Sequence, residues 1–141
     1  MEIPKRLNDL SYRIVGICMA VHRELGPRFP EQYYQRALEY ELTNARIKYE
    51  AQKPIQVHYK AVSVGLCYLD LLIEDELVLE IKSTSHLDDV RLAQTLKYLA
   101  AANLDVGLLV NFGESSLTFK SVVLPIKLQQ ARANHKQNQP N

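Results

Sequence analysis

Three ionisable residues, Asp70, Glu80 and Lys82, interrupt two strongly apolar segments of the chain. A turn centred on Asp75 pairs residue 73 with residue 77 and places Asp70 directly opposite Glu80, with Cβ atoms about 5 Å apart. Two carboxylates that face each other across strands repel, and a divalent cation between them removes that repulsion. Lys82 lies two residues after Glu80, so alternation of side chains puts it on the same face of the sheet.

The chemistry that such residues support is that of a hard divalent cation. Mg²⁺ takes one or two protein carboxylates, keeps several waters and accepts phosphate oxygens from a substrate. The bound ion lowers the pKa of a water and stabilises charge on the phosphate, and a lysine beside it can hold the attacking water. An Asp followed by Glu-x-Lys also arises by chance in many sequences, so ordinary charges on a solvated sheet face remain the alternative. Because both strands look central, charges there require a reason.

Two residues on the next predicted helix are candidates to support this site. Gln94 and Tyr98 are four residues apart, so they project from one face of a helix that directly follows the Glu-x-Lys strand. They could contact a substrate phosphate or hold Lys82 and a metal-bound water. A surface glutamine and a half-buried tyrosine would explain the same residues without any function.

An earlier helix supplies a further carboxylate. Glu31 lies in the first turn of a helix that starts near Pro30, where the helix dipole already favours a negative charge. If that helix end points into the site, Glu31 becomes a third acidic ligand or a ligand of a second metal. Tyr34 lies about one turn further on, and Tyr33 competes with it for the buried position.

The elements that must position these residues follow from hydrophobic spacing. Apolar residues at three- and four-residue steps predict helices over about 8–25, with Asn8 or Asp9 as the cap, over about 30–45 and over 87–103. Alternating or continuous apolar runs predict strands within 47–64 and at 66–73, 77–83, 106–112 and 116–123, before a final short helix. The order α-α-β-β-β-α-β-β-α predicts a mixed α/β domain with a central sheet.

Alternation also predicts which face of the central hairpin is buried. Leu69, Leu71 and Ile73 should lie on one aliphatic face, opposite residues 77, 79 and 81. The other face should carry Asp70 and residue 80.

Composition is that of a globular protein of 141 residues, with a net charge of +1, 47% hydrophobic residues and 23% charged residues. These values exclude global disorder, collagen and coiled coil. We expect one domain over 1–128, followed by a polar, disordered tail over 129–141. Two cysteines do not make a disulfide framework, and no signal core or membrane-length apolar run is seen. We therefore expect a cytoplasmic protein without a membrane segment.

The order of elements and the three ionisable residues resemble the PD-(D/E)xK nuclease superfamily. The resemblance implies a restriction-endonuclease-like core (α-β-β-β-α-β) with a mixed central sheet flanked by helices. In that pattern, Asp70 matches the aspartate, and Glu80 and Lys82 match the Glu-x-Lys of the next strand. Gln94 and Tyr98 look like the helix motif of the exonuclease branch.

Over most of residues 10–124 the chain is similar, more closely, to the GxxExxY family of small bacterial proteins. The blocks that carry this similarity are AVHRELGP (20–27), Glu31 with Tyr34, ELTNARIKYEAQKPIQVHYK (41–60), DLLIEDELVLEIKS (70–83), QTLKYL (94–99) and VGLLVNFG (106–113).

One position departs from the family pattern. The glycine that names the family, three residues before Glu31, is Arg28 here. Arginine is unfavourable if that turn requires a positive φ. We therefore expect either a remodelled turn or a phosphate contact made by Arg28.

The resemblance implies a nuclease that uses Mg²⁺ or Mn²⁺ to hydrolyse phosphodiester bonds, with DNA favoured over RNA and a homodimer possible. Asp70 and Glu80 would bind the metal together with the backbone carbonyl of Ile81, and Glu31 would add a carboxylate. Lys82 would position the water. Supporting contacts would come from a second set of residues, namely Tyr34, Gln94, Tyr98 and Arg28.

Two alternatives from other functional classes stay open. The domain could keep the nuclease fold as a non-catalytic binding or regulatory module for nucleic acid or a protein partner. It could also hydrolyse a small phosphorylated molecule. Fold by itself does not decide among them.

Overall fold

The computed structural model describes residues 3–125 and contains three helices and one sheet. The elements are α1 (Lys5–Leu25), α2 (Glu31–Asn44), β1 (Tyr49–Tyr59), β2 (Val62–Ile73), β3 (Leu77–Lys82), α3 (Asp89–Ala102), β4 (Val106–Asn111) and β5 (Thr118–Val123). This order confirms the predicted succession as far as β5. The predicted last helix and the tail 129–141 lie outside the described residues.

The sheet is mixed, as predicted, with strands in the order β1-β2-β3-β4-β5. Neighbouring strands are antiparallel except β3 and β4, which are parallel and joined by α3. A parallel pair requires a crossover connection, and the amphipathic 89–102 segment supplies it. This arrangement brings the carboxyl ends of β3 and β4 to the same edge of the sheet. No helix within residues 3–125 is long and apolar enough to cross a membrane.

Helices cover both faces of the sheet. On one face, α1 and α2 pack against side chains that include Leu71, Leu79 and Val110. On the other face, Leu99 of α3 packs with a second set that includes Val78. The inner strands β3 and β4 are buried along nearly their whole length, which is why they are apolar at almost every position.

Some helix boundaries differ from the prediction. α1 begins at Lys5, three residues earlier than expected, because the Pro4 carbonyl accepts the first N–H groups of the helix. Asp9 is therefore inside the helix, where it pairs with Lys5 at 2.8 Å instead of acting as the cap. The helix α3 is capped by Asp88, whose side chain accepts from the backbone N–H of Arg91 at 3.0 Å.

The β2–β3 hairpin has the predicted register, but one residue lies on the other face. Leu71 pairs with Leu79 and Ile73 with Leu77. Leu69, however, packs in the α3-side core, whereas Leu71 packs under α1 and α2. The expected shared face is wrong, because the alternation of side chains is not kept at this point, where the pairing of β1 with β2 omits Gln52 and Asp70. Opposite this point, Gln52 of β1 has a left-handed φ of 50°.

The loops after β3 and β4 are locked together at the edge of the sheet. The fully buried Asn111 side chain accepts from the Thr84 N–H at 2.9 Å and donates to the Thr84 carbonyl at 3.0 Å. A Cβ on Gly113 would lie 2.1 Å from the Thr84 carbonyl oxygen. Only glycine permits this approach of the two backbones.

Two glycine replacements should therefore have opposite effects. Gly113→Ala forces the two loops apart and should lower the free energy of unfolding by about 3 kcal/mol. Gly16→Ala, in the interior of α1 with no atom near the added methyl group, should raise it by about 0.5–1 kcal/mol. Urea unfolding of the two variants measures both changes. Equal effects of the two substitutions would contradict this account of Gly113.

Candidate functional site

Asp70 and Glu80 lie where the backbone ladder between β2 and β3 ends. Regular pairing stops at Leu71 and Leu79, and the carboxylates take over the next hydrogen bonds. Asp70 Oδ2 accepts from the Ile81 N–H at 2.8 Å, and Glu80 Oε1 accepts from the Asp70 N–H at 3.2 Å. Each carboxylate is thus oriented by the backbone of the opposite strand, and the two strands separate just enough to hold both.

The electrostatics of this pair are unusual. Glu80 is 4% exposed. Burial, and then the charge of the neighbouring Asp70, raise the pKa of Glu80 to about 9. The positive charge of Lys82 acts in the opposite direction but is the weakest of these influences. Glu80 is therefore protonated near neutral pH when nothing positive lies between the carboxylates.

Lys82 follows on the same strand and is half-buried. Its backbone carbonyl accepts from the Phe112 N–H at 2.8 Å, which joins the end of β3 to the loop after β4. Among the described residues its ammonium group forms no ion pair. Its positive charge acts to lower the pKa of Glu80, so a positive group is available on the side where the carboxylates lie.

α3 brings Tyr98 to the carboxylates. Burial, and then the negative charge of Glu80, raise the pKa of the Tyr98 phenol, with smaller contributions from Cys67 and Asp70. Gln94, one turn earlier, is exposed on the same helix. The structure therefore brings the tyrosine of this pair into the field of the site and leaves the glutamine at the solvent boundary.

The sequence pattern did not identify Cys67, Gln35 or Gln52 as residues near the two carboxylates. Cys67 is half-buried, and burial followed by the charge of Glu80 raise the pKa of its thiol. The Gln52 amide donates to Gln35 Oε1 at 2.8 Å and lies 3.4 Å from Asp70 Oδ1. These contacts join elements that are distant in the sequence, so no local motif announces them.

Glu31 lies on the exposed first turn of α2. It is four residues before Gln35, which places both on one side of the helix. No group of three His, Cys, Asp or Glu side chains within residues 3–125 is close enough to hold a metal ion. The structure thus brings two carboxylates together and does not bring Glu31 to them.

Tyr34 is fully buried and supports the α1–α2 loop. Its hydroxyl donates to the Gly26 carbonyl at 2.5 Å and accepts from the Phe29 N–H at 3.0 Å. Its ring stacks on Phe112 with centroids 4.3 Å apart. Tyr33, in contrast, is 46% exposed.

Arg28 adopts the backbone conformation that a glycine would adopt easily. Its φ is 72°, in the left-handed region. Its side chain donates through Nε to the Gly113 carbonyl at 3.2 Å. The turn has therefore kept a positive φ despite the arginine, and the guanidinium lies against the loop that follows β4.

Comparisons with known proteins agree on the type of fold. A family model, that of the PD-(D/E)XK nuclease superfamily, matches residues 8–130. A crystal structure of a protein called SSO0001 is similar at a TM-score of 0.52 and 15% identity, covering 77% of this chain and 58% of that one. An alkaline exonuclease (LHK-Exo) from Laribacter hongkongensis is similar at a TM-score of 0.52 and 10% identity, covering 75% of this chain and 61% of that one.

These two structures are both longer than this chain, which spans about three fifths of their length. At such low identities the likeness concerns the fold alone. It supports the predicted restriction-endonuclease-like core. No curated protein matches the chain.

The raised pKa of Glu80 predicts how stability depends on pH without metal. The folded protein keeps this proton up to about pH 9, whereas the unfolded chain releases it near 4.5. The folded state binds more protons in this window, so the free energy of unfolding should fall as pH rises, by up to about 1.4 kcal/mol per pH unit. Urea unfolding in EDTA between pH 6 and 9 measures this slope. Glu80→Gln should flatten it, and an unchanged slope in that variant would contradict the assignment.

Two replacements of Arg28 separate backbone strain from side-chain contact. Both Arg28→Ala and Arg28→Gly lose the hydrogen bond to Gly113, but only glycine relieves the positive φ. Arg28→Gly should therefore be more stable than Arg28→Ala by about 1 kcal/mol. Thermal unfolding of both variants beside the wild type measures the difference. Equal stability of the two variants would mean that the turn relaxes away from the left-handed conformation.

Proposed function

This chain belongs to the PD-(D/E)XK nuclease superfamily, and on that premise we propose that it is a metal-dependent nuclease acting at the Asp70–Glu80 pair. Its substrate would be DNA or RNA, with DNA preferred. The reaction would be hydrolysis of a phosphodiester bond by water. The single observation that carries the proposal is a pair of carboxylates that face each other across β2 and β3, one of them buried, followed by a lysine that forms no ion pair within residues 3–125.

The residues at this point fit a hard divalent cation. The donors are carboxylate oxygens, which suit Mg²⁺ or Mn²⁺ better than softer metals. Burial, and then the charge of Asp70, raise the pKa of Glu80. The positive charge of a cation between the two carboxylates would favour the ionised form of Glu80, so uptake of metal would be coupled to proton release.

Each residue of the site has a proposed part. Asp70 and Glu80 would hold the metal, together with the carbonyl of Ile81. When bound, the ion supplies a water of lowered pKa and stabilises charge on the phosphate. Lys82 would orient that water through its ammonium group, which has no competing carboxylate partner among residues 3–125.

Supporting residues would act from the two sides of the sheet. Tyr98, which lies in the field of the carboxylates, and Gln94 would orient Lys82 or a substrate phosphate from α3. Glu31 would offer its carboxylate to a second metal or to a metal-bound water. Arg28 would contact phosphate, and Tyr34 would support the loop that carries it.

The similarity to an alkaline exonuclease supports nuclease chemistry on this fold. We do not carry over cleavage from the end of a strand, because this chain spans about three fifths of the length of that exonuclease. The proposed nuclease function depends on three ionisable residues, Asp70, Glu80 and Lys82, and on the strands that carry them.

A metal titration of three variants tests the proposal. Mg²⁺ or Mn²⁺ should raise the melting temperature of the wild type by several degrees, since the ion binds only the folded state. Asp70→Asn should lose this shift. Lys82→Ala should keep the shift yet lose at least about a hundredfold in cleavage rate. Cleavage is read on single- and double-stranded DNA and RNA, and the metal-induced shift is read by thermal unfolding.

A matched control comes from the same hairpin. Asp75→Asn changes an exposed aspartate in the turn and should leave both the metal shift and cleavage intact. Metal stabilisation without any cleavage would favour a non-catalytic binding module. If metal stabilised neither the wild type nor the control, the proposed metal site would be refuted.

A further inference from the structure

Two aromatic rings lie stacked and exposed at the start of α2. The centroids of Phe29 and Tyr33 are 5.6 Å apart, with an interplanar angle of 23°. Their side chains are 41% and 46% exposed. Within the described part of the chain neither ring belongs to either hydrophobic core. A pre-stacked pair with an uncovered face is suited to receive a further flat ring.

The pair is held rigidly by its own backbone contacts. The Phe29 N–H donates to the hydroxyl of the buried Tyr34 at 3.0 Å. The Phe29 carbonyl accepts from the Ser83 hydroxyl at 2.6 Å. Because both polar groups of this residue are fixed, little conformational entropy would be lost when a ligand stacks on the ring.

The hydrogen bond from Ser83 to the Phe29 carbonyl also shows where the aromatic pair begins. Ser83 directly follows Lys82 at the end of β3, so the Phe29 backbone lies against the strand that carries Glu80 and Lys82. The Phe29 backbone therefore lies at the carboxyl end of β3, one residue beyond Lys82.

Arg28, which precedes the pair, supplies a positive charge. Within residues 3–125 its guanidinium forms no ion pair, and one nitrogen alone is occupied by the Gly113 carbonyl. The residue holds a positive φ that glycine would adopt without strain. A guanidinium on the residue that precedes an exposed aromatic ring is suited to a phosphate that neighbours a stacked base.

The negative charge of nearby Glu31 does not oppose phosphate binding at this surface. Glu31 and Tyr33 are two residues apart on α2, which rotates their side chains by about 200° relative to each other. Glu31 therefore projects from the opposite side of the helix, where Gln35 lies.

We propose, resting on the nuclease function above, that Phe29 and Tyr33 form a stacking platform for an unpaired base, whose neighbouring phosphate binds Arg28. Inside a duplex both faces of each base are already covered by its neighbours. A base can reach this platform only from a single strand or a frayed end. The substrate class that this platform adds is thus nucleic acid with unpaired bases where it crosses the start of α2.

Binding of two labelled probes tests the platform. One is oligo(dT) of about 12 nucleotides, and the other is a blunt duplex of about 12 base pairs closed at both ends by G·C pairs, in which every base is paired. Fluorescence anisotropy is measured in Ca²⁺, with strand length checked on a denaturing gel. The wild type should bind oligo(dT) more tightly than the duplex. Phe29→Ala and Tyr33→Ala should each weaken oligo(dT) binding about tenfold.

Controls separate stacking from stability. Tyr33→Phe should bind as the wild type does, because it keeps the ring, whereas Tyr33→Leu should not. Tyr12→Ala removes an 86% exposed tyrosine in the first half of α1, about 20 Å along the helix from the α1–α2 loop, and should have no effect. A 2-aminopurine within the oligonucleotide should be quenched on binding the wild type and less quenched by Phe29→Ala.

The outcomes distinguish the platform from the nuclease function. Unchanged oligo(dT) binding by the ring-less variants, equal affinity for the blunt duplex, or no binding to the wild type would each overturn the platform. Metal stabilisation and cleavage by the same proteins would leave the nuclease function standing. Ring-dependent binding without metal stabilisation would instead keep the platform and remove the nuclease function.

Discussion

The point at which backbone pairing between β2 and β3 stops is the constraint on which the site depends. Elsewhere in the ladder, backbone carbonyls accept the hydrogen bonds from backbone N–H groups. One residue beyond Leu71 and Leu79, carboxylate oxygens accept these hydrogen bonds instead. Asp70 and Glu80 are thereby oriented by hydrogen bonds to the opposite strand. Burial, and then the charge of Asp70, raise the pKa of Glu80, so the two carboxyl groups are not both ionised near neutral pH unless a cation lies between them.

The two sides of the sheet contribute differently to this edge. α3 covers the face on which Tyr98 and Cys67 lie in the field of Glu80. From the other face, α2 reaches Asp70 through Gln35 and Gln52. The loop contacts centred on Asn111 hold the ends of β3 and β4 in place. These hydrogen bonds therefore fix the backbone on both sides of the carboxylate pair.

The family match and the geometry inform different parts of this protein. The match to a nuclease superfamily covers residues 8–130 and establishes the family. The structure adds that burial and the charge of Asp70 raise the pKa of Glu80, and that Arg28 keeps a positive φ. The aromatic pair at Phe29 and Tyr33 is a feature of this chain's own surface.

The sequence by itself determined the succession of elements, the hairpin register and the opposition of Asp70 to Glu80, because these depend on local periodicity and one short turn. Only the folded structure shows which core Leu69 joins, since the pairing of β1 with β2 omits Gln52 and Asp70 and the alternation is not kept there. It also decided that Tyr34 is buried under the α1–α2 loop, that Glu31 stays apart from the carboxylates, and that Cys67 lies near Glu80. Such relations join segments far apart in the chain, where packing and not local pattern sets the distances.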